Sequence, residues 1–306
     1  MNRNIFLYNF VVNAFDNTRF PREGHPWARG MVVASELKNY IATETVLSLA
    51  DGTKSIRSGA RAVLKHSHGS YTLGRHLSGQ LPYYYRTIES VLEDFQAEHS
   101  ALEATIDLIS TAPKSPKFRN SHCGEILCSH FLEARLGYRR LYSKLTLTSS
   151  EDTNAHKMDG LFVNLNSSPF QYLFVEAKSS ILPTDRSPQK SHRSGILRQM
   201  IDSLNKFSGE DPRFELTRIR ENLSSSFSDS ERNAIKKDLR PPGPANLKVL
   251  GMSVTNEQTI SNADDEFILT EPCSTQFDYH AIIVTNLAEL AKEAYGYWDK
   301  IVEAVN

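Results

Sequence analysis

The chain has 306 residues, 40% hydrophobic and 23% charged, with a formal net charge of −1. This is the composition of an ordinary folded protein of one large domain or two smaller ones, and it excludes a global basic signature, so nucleic-acid contacts must come from local patches. Three cysteines in a chain this long do not suggest a disulfide framework, no apolar run reaches membrane-spanning length, and neither a signal-peptide cleavage pattern nor the G-x-x-x-x-G-K-S/T motif of an ATP motor is present. A cytoplasmic location is expected.

NIFLYNFVVNAF (4–15) reads as a strand, 16–30 as a loop rich in Pro and Gly, and 28–52 as one or two helices ending at Asp51-Gly52. Residues 53–88 hold no Asp or Glu, but carry Lys54, Arg57, Arg61, Lys65, Arg75 and Arg86, with Tyr71 and Tyr83 to Tyr85 interleaved. Such a segment suits a nucleic-acid backbone and unstacked bases, and equally a solvated loop or a protein-facing surface. Its histidines, His66, His68 and His76, have no acidic or cysteine companion to suggest a metal. A long helix with an apolar stripe is expected over 87–110. TAPKSPKF (111–118) then marks a boundary, dividing the chain into an N-terminal region, 1–112, and a second domain, 113–306.

SHCGEILCSHFLEARLGY (121–138) reads as a helix capped by Gly137. His122, Cys123, Cys128 and His130 look like zinc ligands, but at ~100° per residue the two cysteines point about 140° apart, and His130 falls on the polar arc with Ser129 and Glu133. Glu125 instead lies in the apolar arc with Leu127, Cys128 and Phe131. A core-facing carboxylate is costly unless paired or metal-bound, which makes Glu125 a candidate site residue; the plain alternative is a Glu favoured by the helix dipole. RLYSKLTLTSS (140–150) reads as a strand with Leu141, Leu145 and Leu147 on one face, and Lys144 on the other, facing either the site or solvent.

The most informative stretch is 155–180, AHKMDGLFVNLNSSPFQYLFVEAKSS. MDGLFVNL and QYLFVEAK read as strands joined by the turn NSSP. A hairpin centred between Ser167 and Ser168 sets Asp159 directly opposite Glu176, and Lys178 on the same face. Opposed like charges destabilise a sheet, and a divalent cation such as Mg²⁺ or Mn²⁺ would compensate them, leaving a lysine to meet phosphate or water. An ordinary hairpin with a charged end is the alternative. The loop histidine His156 could approach substrate.

Beyond the hairpin, Arg186, Lys190, His192 and Arg193 fall in a polar loop, and an amphipathic helix over 195–207 carries Arg198 and Gln199. Residues 208–246 read as an insertion of two short charged helices, 246–256 and 277–286 as hydrophobic strands, ADDEF (263–267) as a solvated loop, and 287–305 as the terminal helix.

From Phe118 the order is helix, three strands carrying Asp159 and Glu176-x-Lys178, then helix. This resembles the restriction-endonuclease-like, or PD-(D/E)xK, nuclease core: α/β with a mixed sheet flanked by helices. More specifically, HCGEILCSHFLEARLGYRRLYSKLTL, HKMDGLFV and FVEAKSS resemble the HamA family, nuclease subunits of Hachiman-type anti-phage systems; the likeness covers 118–207. The resemblance implies a DNA nuclease restrained by, and acting with, a separate DExD/H-box helicase subunit. It implies metal on Asp159 and Glu176 with help from the Ala177 carbonyl, Lys178 as catalytic lysine and Glu125 as the helix acid. Met158 stands where the usual Pro would precede the Asp, and Ser203 where a Tyr would follow Gln199 in RecB-type exonucleases. Lys144, Arg57, Arg61, Lys65, Arg75, Lys190, Arg193 and Gln199 are the candidates for holding DNA. An inactive nuclease-fold adaptor for a helicase, or an RNase using the same site, are the other readings.

Overall fold

A computed structural model describes residues 37–49, 55–85, 112–147, 159–181, 195–207, 213–224, 226–260 and 262–305. The expected strand at 4–15 and helix at 87–110 lie outside the described residues, as do His156, Arg186, Lys190, His192 and Arg193.

Strand β1 (Ile41–Val46) and β2 (Ile56–Leu64) lead into two short strands, β3 (Ser67–His68) and β4 (Tyr71–Thr72), and helices α1 (Leu73–Ser78) and α2 (Pro82–Tyr85). Then come α3 (Pro116–Ala134), β5 (Arg139–Ser143), β6 (Gly160–Asn164), β7 (Gln171–Ser180), α4 (Ile196–Phe207), α5 (Arg213–Glu221) and α6 (Asp229–Asp238). The chain closes with β8 (Leu247–Asn256), α7 (Asn262–Thr270), β9 (Phe277–Val284) and α8 (Leu287–Val305).

Seven strands form one mixed sheet in the order β1-β2-β9-β8-β7-β6-β5. The middle of the sheet is parallel, from β2 through β9 and β8 to β7, and antiparallel strands flank it at both edges. Parallel strands are covered on both faces and so read as nearly unbroken apolar runs; FDYHAIIV of β9 is one. On one face Phe162, Leu173, Val175, Met252 and Ile282 pack beneath α3 and α8. On the other, Tyr279 and Ala281 meet Met200, Ile201 and Leu204 of α4, while Leu161, Val163 and Phe174 meet α5 and α6 through Leu216, Ile219 and Ile235. The result is a three-layer α/β arrangement, in which the segment read as an insertion closes the back of the hairpin.

Several local expectations are corrected by tertiary contacts. Residues 41–46, expected to be helical, form β1, because IATETV is rich in β-branched residues and β2 offers an antiparallel partner. Two sheet strands come from the N-terminal side of residue 112. Leu141 and Leu145 do not share a face: β5 ends at Ser143 in a 3₁₀ turn over Lys144–Leu147, which turns Leu145 into the α3 side of the core while Leu141 stays on the other. ADDEF is not a loop but part of α7; Asp264 is buried, Asp265 pairs with Arg61, and Phe267 and Ile268 pack on the α4 face.

Candidate active site

The β6–β7 hairpin has the register that its sequence predicts. Gly160 pairs with Val175 and Asn164 with Gln171, and one step further sets Asp159 opposite Glu176. The regular ladder ends at that step. There the amide of Ala177 donates to Asp159 Oδ2 at 2.8 Å, so the aspartate side chain takes the place of a ladder carbonyl and is fixed by it. Lys178 Nζ hydrogen-bonds Glu176 and lies 4.0 Å from Asp159 Oδ2. The lysine thus bridges the two opposed carboxylates whose repulsion the sequence exposes.

Three neighbouring elements complete the group. Helix α3 crosses β7 at Gly124, where an added Cβ would lie 2.3 Å from the Cβ of Ser179. Only glycine permits this approach, and it brings the next residue, Glu125, to the charged end of the hairpin. The 3₁₀ turn after β5 supplies Lys144, whose amide donates to the Asp159 carbonyl at 3.0 Å and whose Nζ lies 3.6 Å from Asp159 Oδ1. Helix α4 descends onto β8 at Gly251, the register partner of Glu176, where Met200 fills the space a side chain would occupy. That seats Ser203 within hydrogen-bonding reach of the Glu176 carboxylate. The sequence marked Ser203 only as a missing tyrosine; its spacing from Gln199, on one side of an amphipathic helix, was the available signal. Gln199 itself is exposed.

The electrostatics follow from enclosure and crowding. Burial, and then the neighbouring Asp159, push Glu125 up to about 8, with Lys144 and Lys178 pulling the other way. Burial and Asp159 also raise Glu176, against Lys178 and Ser203. Burial opposes the Lys178 ammonium, yet attraction to Asp159 and Glu176 outweighs it and holds the lysine charged. His122, one helical turn before Glu125, is pushed down to about 4 by burial and Lys144, and its Nδ1 meets the Tyr85 hydroxyl at 2.9 Å. It is a neutral imidazole at the margin of the group.

These residues fit a hard divalent cation. The donors are carboxylate oxygens, and Glu125 and Glu176 are raised first by burial and then by the neighbouring Asp159. Among the described residues no three His, Cys, Asp or Glu side chains form a ready-made cage; Mg²⁺ is ordinarily held by one or two carboxylates plus waters and substrate oxygens, which two opposed acids supply. The cysteines read as possible zinc ligands, Cys123 and Cys128, are free and buried in the α3 core. His130 and Glu133 correct the helical-wheel reading. Neither faces solvent, because α3 is covered on that side too: His130 Nε2 meets His76 Nε2 at 2.8 Å, and Glu133 accepts from Tyr84 at 2.7 Å.

Two arginines of the basic segment are ion-paired within the fold. Arg57 pairs with Asp278 at 3.4 Å, and Arg61 with Asp265. Tyr84 and Tyr85 are core residues rather than stacking platforms, and the hydroxyl of Tyr85 bonds that of Tyr295. Lys65 is exposed, and Arg75 is exposed above the Tyr71 ring at 5.4 Å. None of these four cations is brought into the carboxylate group; of the expected nucleic-acid contacts among the described residues, only Lys144 is.

A comparison with curated proteins returns no match. The HamA family model matches residues 62–298, from β2 through most of α8. The chain therefore belongs to the HamA family and is a component of the Hachiman defence system.

Proposed function

We propose that this protein is the metal-dependent DNA nuclease of its defence system, built on a PD-(D/E)xK core and acting with a helicase subunit that restrains it. The observation that carries the reading is the convergence of Asp159, Glu176, Lys178 and Glu125 at the end of one hairpin, with two carboxylates opposed and a lysine between them. Asp159 and Glu176 would hold Mg²⁺ or Mn²⁺, assisted by the Ala177 carbonyl. When bound, the ion supplies Lewis acidity toward the phosphate and lowers the pKa of a coordinated water. Asp159 is positioned for this by the Ala177 amide, and Glu176 by Ser203. Lys178 is charged in the resting site, so its first task is to orient the attacking water and offset the charge that develops on the phosphate. Glu125 adds a third acid whose proton is available near neutral pH.

The experiment is an assay of the two-subunit complex with Mg²⁺, ATP, labelled DNA bearing an end, and labelled RNA, alongside Glu176→Ala. Metal-dependent loss of DNA that the variant abolishes supports the reading. Cleavage of RNA alone would reassign the substrate, and full cleavage by a Glu176→Ala, Lys178→Ala double variant would remove the site.

A further inference from the structure

Lys178 belongs to the site by motif. Lys144 does not, yet it is as firmly placed. Its backbone N–H donates to the Asp159 carbonyl at 3.0 Å, and its ammonium lies 3.6 Å from Oδ1. The two oxygens of Asp159 are thereby divided. Oδ2 is taken by the Ala177 amide and faces Lys178, while Oδ1 faces Lys144. Oδ1 is the oxygen free of the hairpin hydrogen bond, and so the one more open to an entering cation. Lys144 also acts electrostatically on Glu125 and on His122, both of α3. Its side chain keeps 29% exposure against 9% for Asp159, which leaves it a route outward.

We propose that Lys144 is a resident counter-cation of the carboxylate group, and that a divalent ion must displace its ammonium from Asp159 Oδ1 in order to bind. The proposal rests on the metal-site reading above. Two positive charges cannot share one carboxylate oxygen without strong repulsion, so metal entry is an exchange. Lys144 needs a new anionic partner once displaced, and a phosphodiester oxygen supplies one. Divalent ion and polyanion therefore favour each other's binding, and the site resists metal until nucleic acid is present.

The test is calorimetric titration of the full chain with Mn²⁺, for the native protein, Lys144→Gln, Lys144→Met, Lys144→Arg and Glu176→Gln, each checked for folding by thermal melting. Two neutral variants are included so that one remains if the other folds poorly. The expected result is Mn²⁺ binding to Lys144→Gln and Lys144→Met on the order of tenfold tighter than to the native protein, the scale on which groups around a metal's own ligands act. Lys144→Arg keeps the native affinity, and Glu176→Gln loses it. Native binding too weak to detect, with binding recovered in the neutral variants, also supports the exchange. Equal affinity in native and neutral variants overturns the role of Lys144 and leaves the metal site standing. No binding in any of them, neutral variants included, overturns both.

Discussion

Along β2, Arg57 and Arg61 are each met by a carboxylate, Asp278 and Asp265, whereas at the end of the β6–β7 hairpin Glu125, Asp159 and Glu176 crowd around Lys144 and Lys178. In sequence the first region is a plausible nucleic-acid contact, since 53–88 has many cations and no acids. In the fold it is the quieter one. Its partners come from β9 and α7, roughly two hundred residues further along. What distinguishes a site is charge left unmet after folding, not charge density along the chain.

The strongest way to break this contrast is at the hairpin. Glu176→Ala or Lys178→Ala is expected to lower metal-dependent cleavage by at least ~10²-fold, the scale of losing one charge-stabilising group, while the thermal melt changes little; a melt that collapses with activity would make the pair structural.

Gly124→Ala sharpens the contrast by displacement. Its Cβ must push α3 off Ser179, at about 1–3 kcal/mol for overpacking, against the ~1 kcal/mol that Ala gains over Gly in an open helix. Both denaturant midpoint and cleavage should fall, and Ser179→Gly in the same chain should recover them.

The third test uses pH. Glu125 is raised to about 8 from an ordinary 4.5, so the folded state holds a proton that the unfolded chain releases between those values. Stability from this group is full below pH 4.5 and is lost as pH rises through 8. Glu125→Gln should raise the melting temperature at pH 9 more than at pH 5; an equal shift at both would show that the carboxyl is not strained. His122 and His280 set the acid limb. Burial, the first cause in both, lowers each to about 4 from 6.5, so the unfolded chain takes up protons first, and stability falls as pH drops from 6.5 toward 4.

The smallest effects belong to β2. Arg61→Ala should cost about 1 kcal/mol, as a partly covered ion pair does, and Arg57→Ala within ~0.5 kcal/mol, with oligonucleotide affinity unchanged by filter binding. A large loss of affinity in either would return the segment to the nucleic-acid interface.

The hairpin was legible because its determinants are local. Alternating apolar residues in LFVN and QYLFV and the turn NSSP fix the register, and register alone brings Asp159 to Glu176. Glu125 was legible because a carboxylate in an apolar arc needs a reason. The β1 segment was misread because β-branched residues tolerate a helix until a strand partner is offered, and the α3 polar arc because a helical wheel does not show which sides are covered. The sequence by itself determined the hairpin register, the late strands, the terminal helix and the pairing of Asp159 with Glu176. Only the tertiary structure decided which charges are spent: it paired the arginines of β2 with distant acids, buried Tyr84 and Tyr85, and turned Lys144 onto Asp159. Periodicity is written in neighbouring residues, whereas pairing and desolvation of charge depend on elements that meet only when the sheet closes.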